Sequence, residues 1–129
     1  MKYLLVLIFL INFLEANYIS WHYDFDKAHH KAVKEKKYLI ALLLDKEISQ
    51  YRDMIEKVFM NNEYIDEIND NFISVIIVKD QKKTYPVELL YTLEYPALFF
   101  LDNEELFICK PLLGKITPEM LESHLKICR

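Results

Sequence analysis

Two uninterrupted apolar runs constrain the fold more than any other feature of the sequence. Residues 39–44 read LIALLL and residues 72–78 read FISVIIV, with no alternation of polar and apolar side chains. A half-exposed strand alternates, whereas a strand in a sheet that is covered on both faces does not. The β-branched residues of the second run further favour a strand. We therefore predict two central strands of an α/β domain.

Amphipathic segments stand before, between and after these runs. Apolar residues recur at helical spacing in residues 24–36, where Asp24 is a suitable N-cap, and again in residues 48–59. Shorter helices are predicted around residues 63–69 and over residues 87–93. Strands separated by helices imply parallel crossover connections.

The last third of the chain has the pattern of a hairpin followed by a helix. Residues 97–101 are a strand-like run, residues 102–105 are a turn in which Asn103 can take a positive φ, and residues 106–109 are the returning strand. Thr117-Pro118-Glu119 is typical of a helix start. We predict a central mixed sheet of about four strands flanked by helices, with a closing β-hairpin and a C-terminal helix.

The first 16 residues have the pattern of a secretory signal peptide. Lys2 is followed by an apolar run over residues 3–14, and Ala16 is a small residue at a suitable cleavage point. The run is shorter than the roughly 20 apolar residues of a membrane-spanning helix. We expect a periplasmic or secreted protein whose domain comprises residues 17–129, with no stable membrane span after cleavage. The alternative is an uncleaved N-terminal anchor.

Composition removes several classes of function. The net charge of −4 argues against binding to nucleic acid, which requires clustered positive charge. A chain with one glycine cannot build a glycine-rich phosphate loop, and we expect no cofactor. His22, Asp26 and His30 are spaced four apart, but a zinc site needs about three or four converging ligands. We therefore predict no metal site.

A resemblance to a known family rests on several residues in a fixed order. They are Trp21 before the first helix, Lys36-Lys37 at the strand entry, the segments 52–59 and 95–102, and Gly114 after the last strand. In this order and spacing, residues 20–127 resemble the thioredoxin-like superfamily, and more particularly its exported thioredoxin-related branch. The resemblance implies a thioredoxin-like fold with a cis peptide bond before Pro96.

The chain departs from this family where the family has its Cys-x-x-Cys pair. The corresponding positions are Ile48 and Tyr51. Dithiol exchange requires one thiolate to attack a disulfide and a second thiol to resolve the mixed disulfide. Isoleucine has no nucleophile, and tyrosine cannot form a disulfide. We therefore expect a redox-inactive protein that is not a dithiol enzyme.

The resemblance also implies a peptide-binding groove beside the proline. In the family, an extended peptide pairs with the backbone of the residue before the cis-proline. The matching groove here comprises Ile48, Tyr51, Tyr95 and Pro96, and its partner would be an unknown protein or an extended peptide. The alternatives are that Pro96 only shapes the backbone corner and that Tyr51 belongs to the core.

The two cysteines, Cys109 and Cys128, leave further alternatives open. They form a disulfide, as is common in exported proteins, or they are two buried free thiols on apolar segments. The leading interpretation is non-enzymatic binding of a protein or peptide. The other hypotheses are a thiol–disulfide oxidoreductase or isomerase-like protein that uses these cysteines, and a structural subunit of an envelope complex.

Overall fold

The computed structural model describes residues 18–60 and 62–128, with the exception of the Asn62 side chain. The predicted signal peptide lies outside these residues. None of the helices in the described ranges is both long and apolar enough to cross a membrane. The elements in chain order are β1 (Trp21–His22), α1 (Phe25–Glu35), β2 (Tyr38–Leu44), a 3₁₀ turn (Ile48–Tyr51), α2 (Arg52–Phe59), α3 (Asn62–Asn71), β3 (Phe72–Val78), β4 (Ala97–Leu101), β5 (Leu112–Leu113) and α4 (Pro118–Ile127).

The two apolar runs form the centre of a mixed sheet, as predicted. β2 and β3 are parallel and in register from Tyr38 opposite Phe72 to Leu44 opposite Val78. β4 lies antiparallel on the other side of β2, and the strand order is β1-β3-β2-β4-β5. The α/β fold class with a mixed sheet is therefore confirmed, although the sheet has five strands.

Both faces of the sheet are covered, which explains why the central strands show no alternation. Alternate residues of β2 point to opposite faces. Ile40 and Leu42 pack in a core with α2, α3 and α4, whereas Leu39 and Ala41 pack in a second core with α1. Since each face meets helices, polar residues are excluded from both registers.

The fifth strand comes from a segment that the sequence pattern left unassigned. Trp21 and His22 pair in parallel with Ser74 and Val75 at the edge of β3. The Trp21 ring meets the Phe59 ring edge-on, with centroids 5.3 Å apart. A two-residue strand is too short to produce a periodic signal, so pairing and packing against Phe59 define it.

The predicted helix caps at Asp24 and Thr117 are confirmed. The Asp24 carboxylate accepts a hydrogen bond from the Lys27 amide, and the Thr117 hydroxyl accepts one from the Met120 amide, both at 3.2 Å. These side chains satisfy amides that have no partner within the first turn of a helix.

The helix predicted over residues 87–93 is wrong. The segment forms turns, with one helical-type hydrogen bond from the Leu90 amide to the Pro86 carbonyl. The Thr92 hydroxyl donates to the Glu94 carbonyl and accepts from the Glu94 amide. Such local bonds compete with helical ones. Leu90 and Thr92 are buried while most of their neighbours face solvent, so the segment lacks a continuous apolar helix face.

The returning strand predicted over residues 106–109 is also wrong. Only Phe107 forms an isolated bridge, to Leu101, and the strand that pairs with β4 is Leu112–Leu113. Pro111 has no amide to donate and interrupts a continuous ladder. The positive φ of the turn falls on Glu105, not Asn103.

Candidate functional site

The end of β2 leads into the position where the sequence resemblance places a redox pair. The apolar stripe of residues 48–59 was predicted as one helix, but it begins as the 3₁₀ turn Ile48–Tyr51 and becomes α-helical at Arg52. Glu47, which precedes the turn, makes no side-chain cap bond. The site is therefore the start of a helix at the end of a central strand.

Tyr51 is held by a charged neighbour. Its hydroxyl donates a hydrogen bond to Oδ1 of Asp45, and its ring is half-buried against the core. Burial and, after it, the Asp45 carboxylate raise the pKa of Tyr51 to about 12, and the nearby Tyr95 phenol contributes in the same direction. The Tyr51 phenol is therefore neutral at physiological pH and is not a nucleophile.

Tyr95 lies close to Tyr51. The Tyr95–Pro96 peptide bond is cis. Within the described residues, neither the amide nor the carbonyl of Tyr95 makes a backbone hydrogen bond, whereas the Pro96 carbonyl accepts from the Gly114 amide at 2.9 Å. The Lys79 ammonium lies 5.8 Å from the centroid of the Tyr95 ring. The Tyr95 ring is thus packed while its backbone remains able to pair.

A cleft of about 420 Å³ opens beside Pro96. Its walls are largely apolar and come from α2 and from the segment between β5 and α4. The lining residues are Asp53, Met54, Lys57, Val58, Pro96, Gly114, Lys115, Ile116, Thr117 and Pro118.

Gly114 shapes one side of this cleft. It has a φ of 75°, and a Cβ at this position would lie 3.1 Å from Oε2 of Glu94. A positive φ is readily adopted by glycine and disfavoured for other residues. In the sequence, Gly114 was connected only with the end of a strand, and no pattern around Met54 indicated that it lines a cleft.

Ile48 does not face this cleft. Its side chain is 36% exposed and borders two other depressions, one shared with Tyr23 and Val78 and one shared with Ile55. Of the four residues predicted to form the groove, Pro96 alone lines this cleft. Tyr51 and Tyr95 lie near one another, but neither is among the lining residues.

Cys109 and Cys128 are joined by a disulfide, with their Cα atoms 5.8 Å apart. Of the two alternatives left open by the sequence, the bonded form is the one present. The bond links the segment between β4 and β5 to the end of α4, and Cys128 is buried while Cys109 is half-buried.

The histidines occupy separate environments. The His22 pKa is lowered by burial and by nearby Lys31. The Nε2 atom of His29 lies 2.7 Å from the Asn103 carbonyl oxygen, and Asp26 accepts a hydrogen bond from Thr84. His124 lies beside the disulfide. Its position four residues before Cys128 was the available signal.

No protein-family model and no curated protein matches this sequence. Solved structures do match. A thioredoxin from Thermus thermophilus has a TM-score of 0.67 at 12% identity, over 84% of this chain and 85% of the other. DsbH oxidoreductase has a TM-score of 0.64 at 15% identity, over 87% and 88%. The oxidised C-terminal domain of Neisseria meningitidis DsbD has a TM-score of 0.58 at 15% identity, over 81% and 91%. The shared property is the thioredoxin-like fold.

Proposed function

We propose that this protein binds an extended peptide, or an extended segment of a partner protein, beside Tyr95 and Pro96 without thiol chemistry. The observation that carries the proposal is the Tyr95 backbone, which makes no hydrogen bond among residues 18–60 and 62–128 and lies next to an open, largely apolar cleft.

The Tyr95 backbone offers one donor and one acceptor to a ligand. An extended peptide that runs past this residue gains main-chain hydrogen bonds, as in strand addition to a sheet edge. The half-buried Tyr95 ring holds this backbone in place because it packs against the second core, the one formed with α1. Main-chain pairing gives affinity that depends little on the ligand's sequence.

The cleft beside Pro96 supplies side-chain selectivity. A volume of about 420 Å³ accommodates an apolar side chain, and Met54 and Val58 provide apolar contact. Lys57, Lys115 and Asp53 are exposed at its margin, so polar groups of the ligand meet charges of both signs. We expect a preference for extended segments that carry at least one large apolar residue.

The turn segment that precedes Tyr95 extends the contact surface. Tyr91 is 68% exposed and Leu93 is 83% exposed. Contiguous exposed apolar side chains are typical of protein-interaction surfaces. Both lie within four residues of Tyr95 in sequence.

The chemistry of the structural neighbours does not transfer to this chain. DsbH is described as an oxidoreductase. Here Ile48 and Tyr51 stand at the positions that the resemblance assigns to the redox cysteines, and neither can carry a disulfide.

We also propose export, on the basis of the signal-peptide pattern in residues 1–16.

Peptide binding to ¹⁵N-labelled protein tests the proposal. The probe is a pool of unstructured peptides, each with one large apolar residue. The expected result is amide shift changes at Tyr95 and Gly114. Met54→Glu places a charge in the apolar cleft and should weaken binding about tenfold or more, equivalent to about 1.4 kcal/mol.

Met60→Glu is the matched control, because Met60 is exposed and does not line this cleft. It should bind like the wild type, and thermal unfolding of both variants establishes that they are folded. Equal weakening by both substitutions, or shift changes confined to another surface, would contradict the proposal.

The Cys109–Cys128 bond supports a second candidate function, thiol–disulfide exchange. The specific observation is the nearby His124 imidazole, since an adjacent imidazolium stabilises a thiolate. Exchange that disappears in Cys109→Ser and Cys128→Ser variants, while peptide binding persists, would favour this candidate.

A further inference from the structure

We propose that reduction of the Cys109–Cys128 bond creates a binding site for Zn²⁺ formed by the two cysteines and His124. The observation is that the two sulfurs and an imidazole nitrogen of His124 all lie within 4.8 Å of one another. The three residues come from two segments of the chain, so their convergence is a product of the fold.

The donor set suits a borderline-soft cation. Two thiolates and one imidazole are the protein ligands of known Cys₂His zinc sites, in which a water or another ligand takes the fourth position. Tetrahedral coordination places ligand atoms roughly 3.5 Å apart, given metal–ligand bonds of about 2.0–2.3 Å. When the sulfur–sulfur bond breaks, the sulfurs can separate to such a distance, and the imidazole is already near.

The fold orients His124 as a ligand. His124 lies in the last turn of α4 and Cys128 is the C-cap of that helix, and the Cys128 amide donates to the His124 carbonyl at 2.7 Å. The imidazole also packs against the Phe100 ring, with centroids 5.4 Å apart. Its Nε2 atom lies 3.0 Å from the Lys110 carbonyl oxygen. In metal-ligating histidines, one ring nitrogen commonly donates to a backbone carbonyl while the other binds the metal.

The opening step is an ordinary thiol–disulfide exchange with a dithiol reductant. One thiolate of the reductant attacks a sulfur of the protein disulfide, and its second thiol completes the transfer of two electrons. The reductant becomes a disulfide, and Cys109 and Cys128 become thiols. Zn²⁺ then displaces one proton from each thiol to solvent. Cys109 is half-buried, which leaves a route for the reductant.

The site is separate from the proposed peptide-binding cleft. Cys109 follows Ile108, whose amide donates a hydrogen bond to the Phe100 carbonyl. Phe100 lies on β4, four residues after Pro96 in sequence. None of the three ligand residues lines the cleft beside Pro96. Peptide binding and metal binding can therefore fail independently of one another.

Cobalt(II) spectroscopy and zinc equilibrium dialysis test the site. The protein is reduced with a phosphine, which does not itself chelate zinc through thiols, and circular dichroism checks that it is folded with zinc present. The reduced wild type should bind one equivalent of Zn²⁺, and cobalt(II) should give a thiolate-to-metal charge-transfer band. The oxidised protein should give neither.

Variants assign the ligands. Loss of a group that merely orients a ligand costs about 10–100-fold in metal affinity, so His124→Gln should weaken zinc binding by more than about tenfold. The exposed His30 lies on α1, and His30→Gln is the matched control with no expected change. The double Cys109→Ser and Cys128→Ser variant should not bind.

Three results would overturn the proposal. The first is that the reduced wild type binds no zinc, which includes the case in which the reduced protein does not fold with zinc present. The second is that the His124→Gln and His30→Gln variants bind zinc with equal affinity. The third is zinc binding that does not depend on reduction.

Discussion

At the scale of single residues, Tyr51 determines what the start of α2 can do. A thiolate at a helix N-terminus is stabilised by the helix dipole and reacts with disulfides. The Tyr51 phenol instead donates a hydrogen bond to Asp45 and has a pKa of about 12. This position therefore carries the neutral phenol of Tyr51, which contributes to the structure through its hydrogen bond to Asp45.

Tyr51→Phe should lower stability by about 0.5–1 kcal/mol at neutral pH, because it removes a bond to a charged acceptor that is partly screened by solvent. The pKa of Tyr51 is raised from 10 to about 12 in the folded protein. The contribution is therefore fully present below pH 10 and is lost as the pH rises through about 12. Urea unfolding at several pH values measures the difference.

Tyr23→Phe is the control for this change, because Tyr23 is exposed. It should alter stability by less than about 0.5 kcal/mol. A difference between wild type and Tyr51→Phe that stays constant from pH 9 to above pH 12 would be inconsistent with the Asp45–Tyr51 bond.

Ser74 is a polar residue in the middle of β3. Its hydroxyl is buried and makes no hydrogen bond within the described residues. A buried hydroxyl without a partner costs roughly 1–3 kcal/mol. Ser74→Ala should therefore raise the free energy of unfolding by about 1 kcal/mol. Chemical denaturation measures it, with the exposed Ser49→Ala as control, and a loss of stability in Ser74→Ala would mean that the hydroxyl has a partner.

At the scale of elements, the sequence predicted those whose burial is uniform along their length. β2 and β3 are buried on both faces, so their apolar runs locate them almost to the residue. The capped helices α1 and α4 were predicted because Asp24 and Thr117 act locally. Elements defined by distant partners were missed: β1 depends on β3, and β5 pairs with β4 after a proline.

The candidate site was less predictable than the central strands, because it too depends on residues that are distant in sequence. Pro96 and Tyr95 were identified from a resemblance in residue order. The cleft arises where α2 approaches the segment around Gly114, some 60 residues away in sequence. Such proximity is a property of the folded chain, and no local pattern around Met54 encodes it.

The disulfide links the segment between β4 and β5 to the end of α4. It connects residues 19 apart in sequence, and a loop of this size is expected to contribute about 3 kcal/mol. The Cys109→Ser and Cys128→Ser double variant should lose about this amount in urea unfolding without metal. Dithiothreitol should destabilise the wild type to a similar extent and leave the variant unchanged. Equal stability of wild type and variant would exclude a structural role for the bond.

At the scale of the whole molecule, the fold and its usual chemistry are separable. The chain forms a thioredoxin-like scaffold that matches solved structures at 12–15% identity. This scaffold comprises the five-stranded sheet, the two cores and the Tyr95–Pro96 corner. A scaffold of this kind is stabilised by apolar burial in its strands and helices, so it does not depend on two cysteines at a helix start. The proposed binding surface beside Pro96 is therefore compatible with a scaffold that has no thiol pair at the start of α2.

Reduction of a disulfide substrate such as insulin by dithiothreitol tests the central claim most directly. The wild type should not accelerate the reaction above the uncatalysed rate. The Ile48→Cys and Tyr51→Cys double variant, which restores a thiol pair at the helix start, should accelerate it. Catalysis by the wild type that is abolished by Cys128→Ser would contradict the account and place exchange chemistry at the Cys109–Cys128 bond.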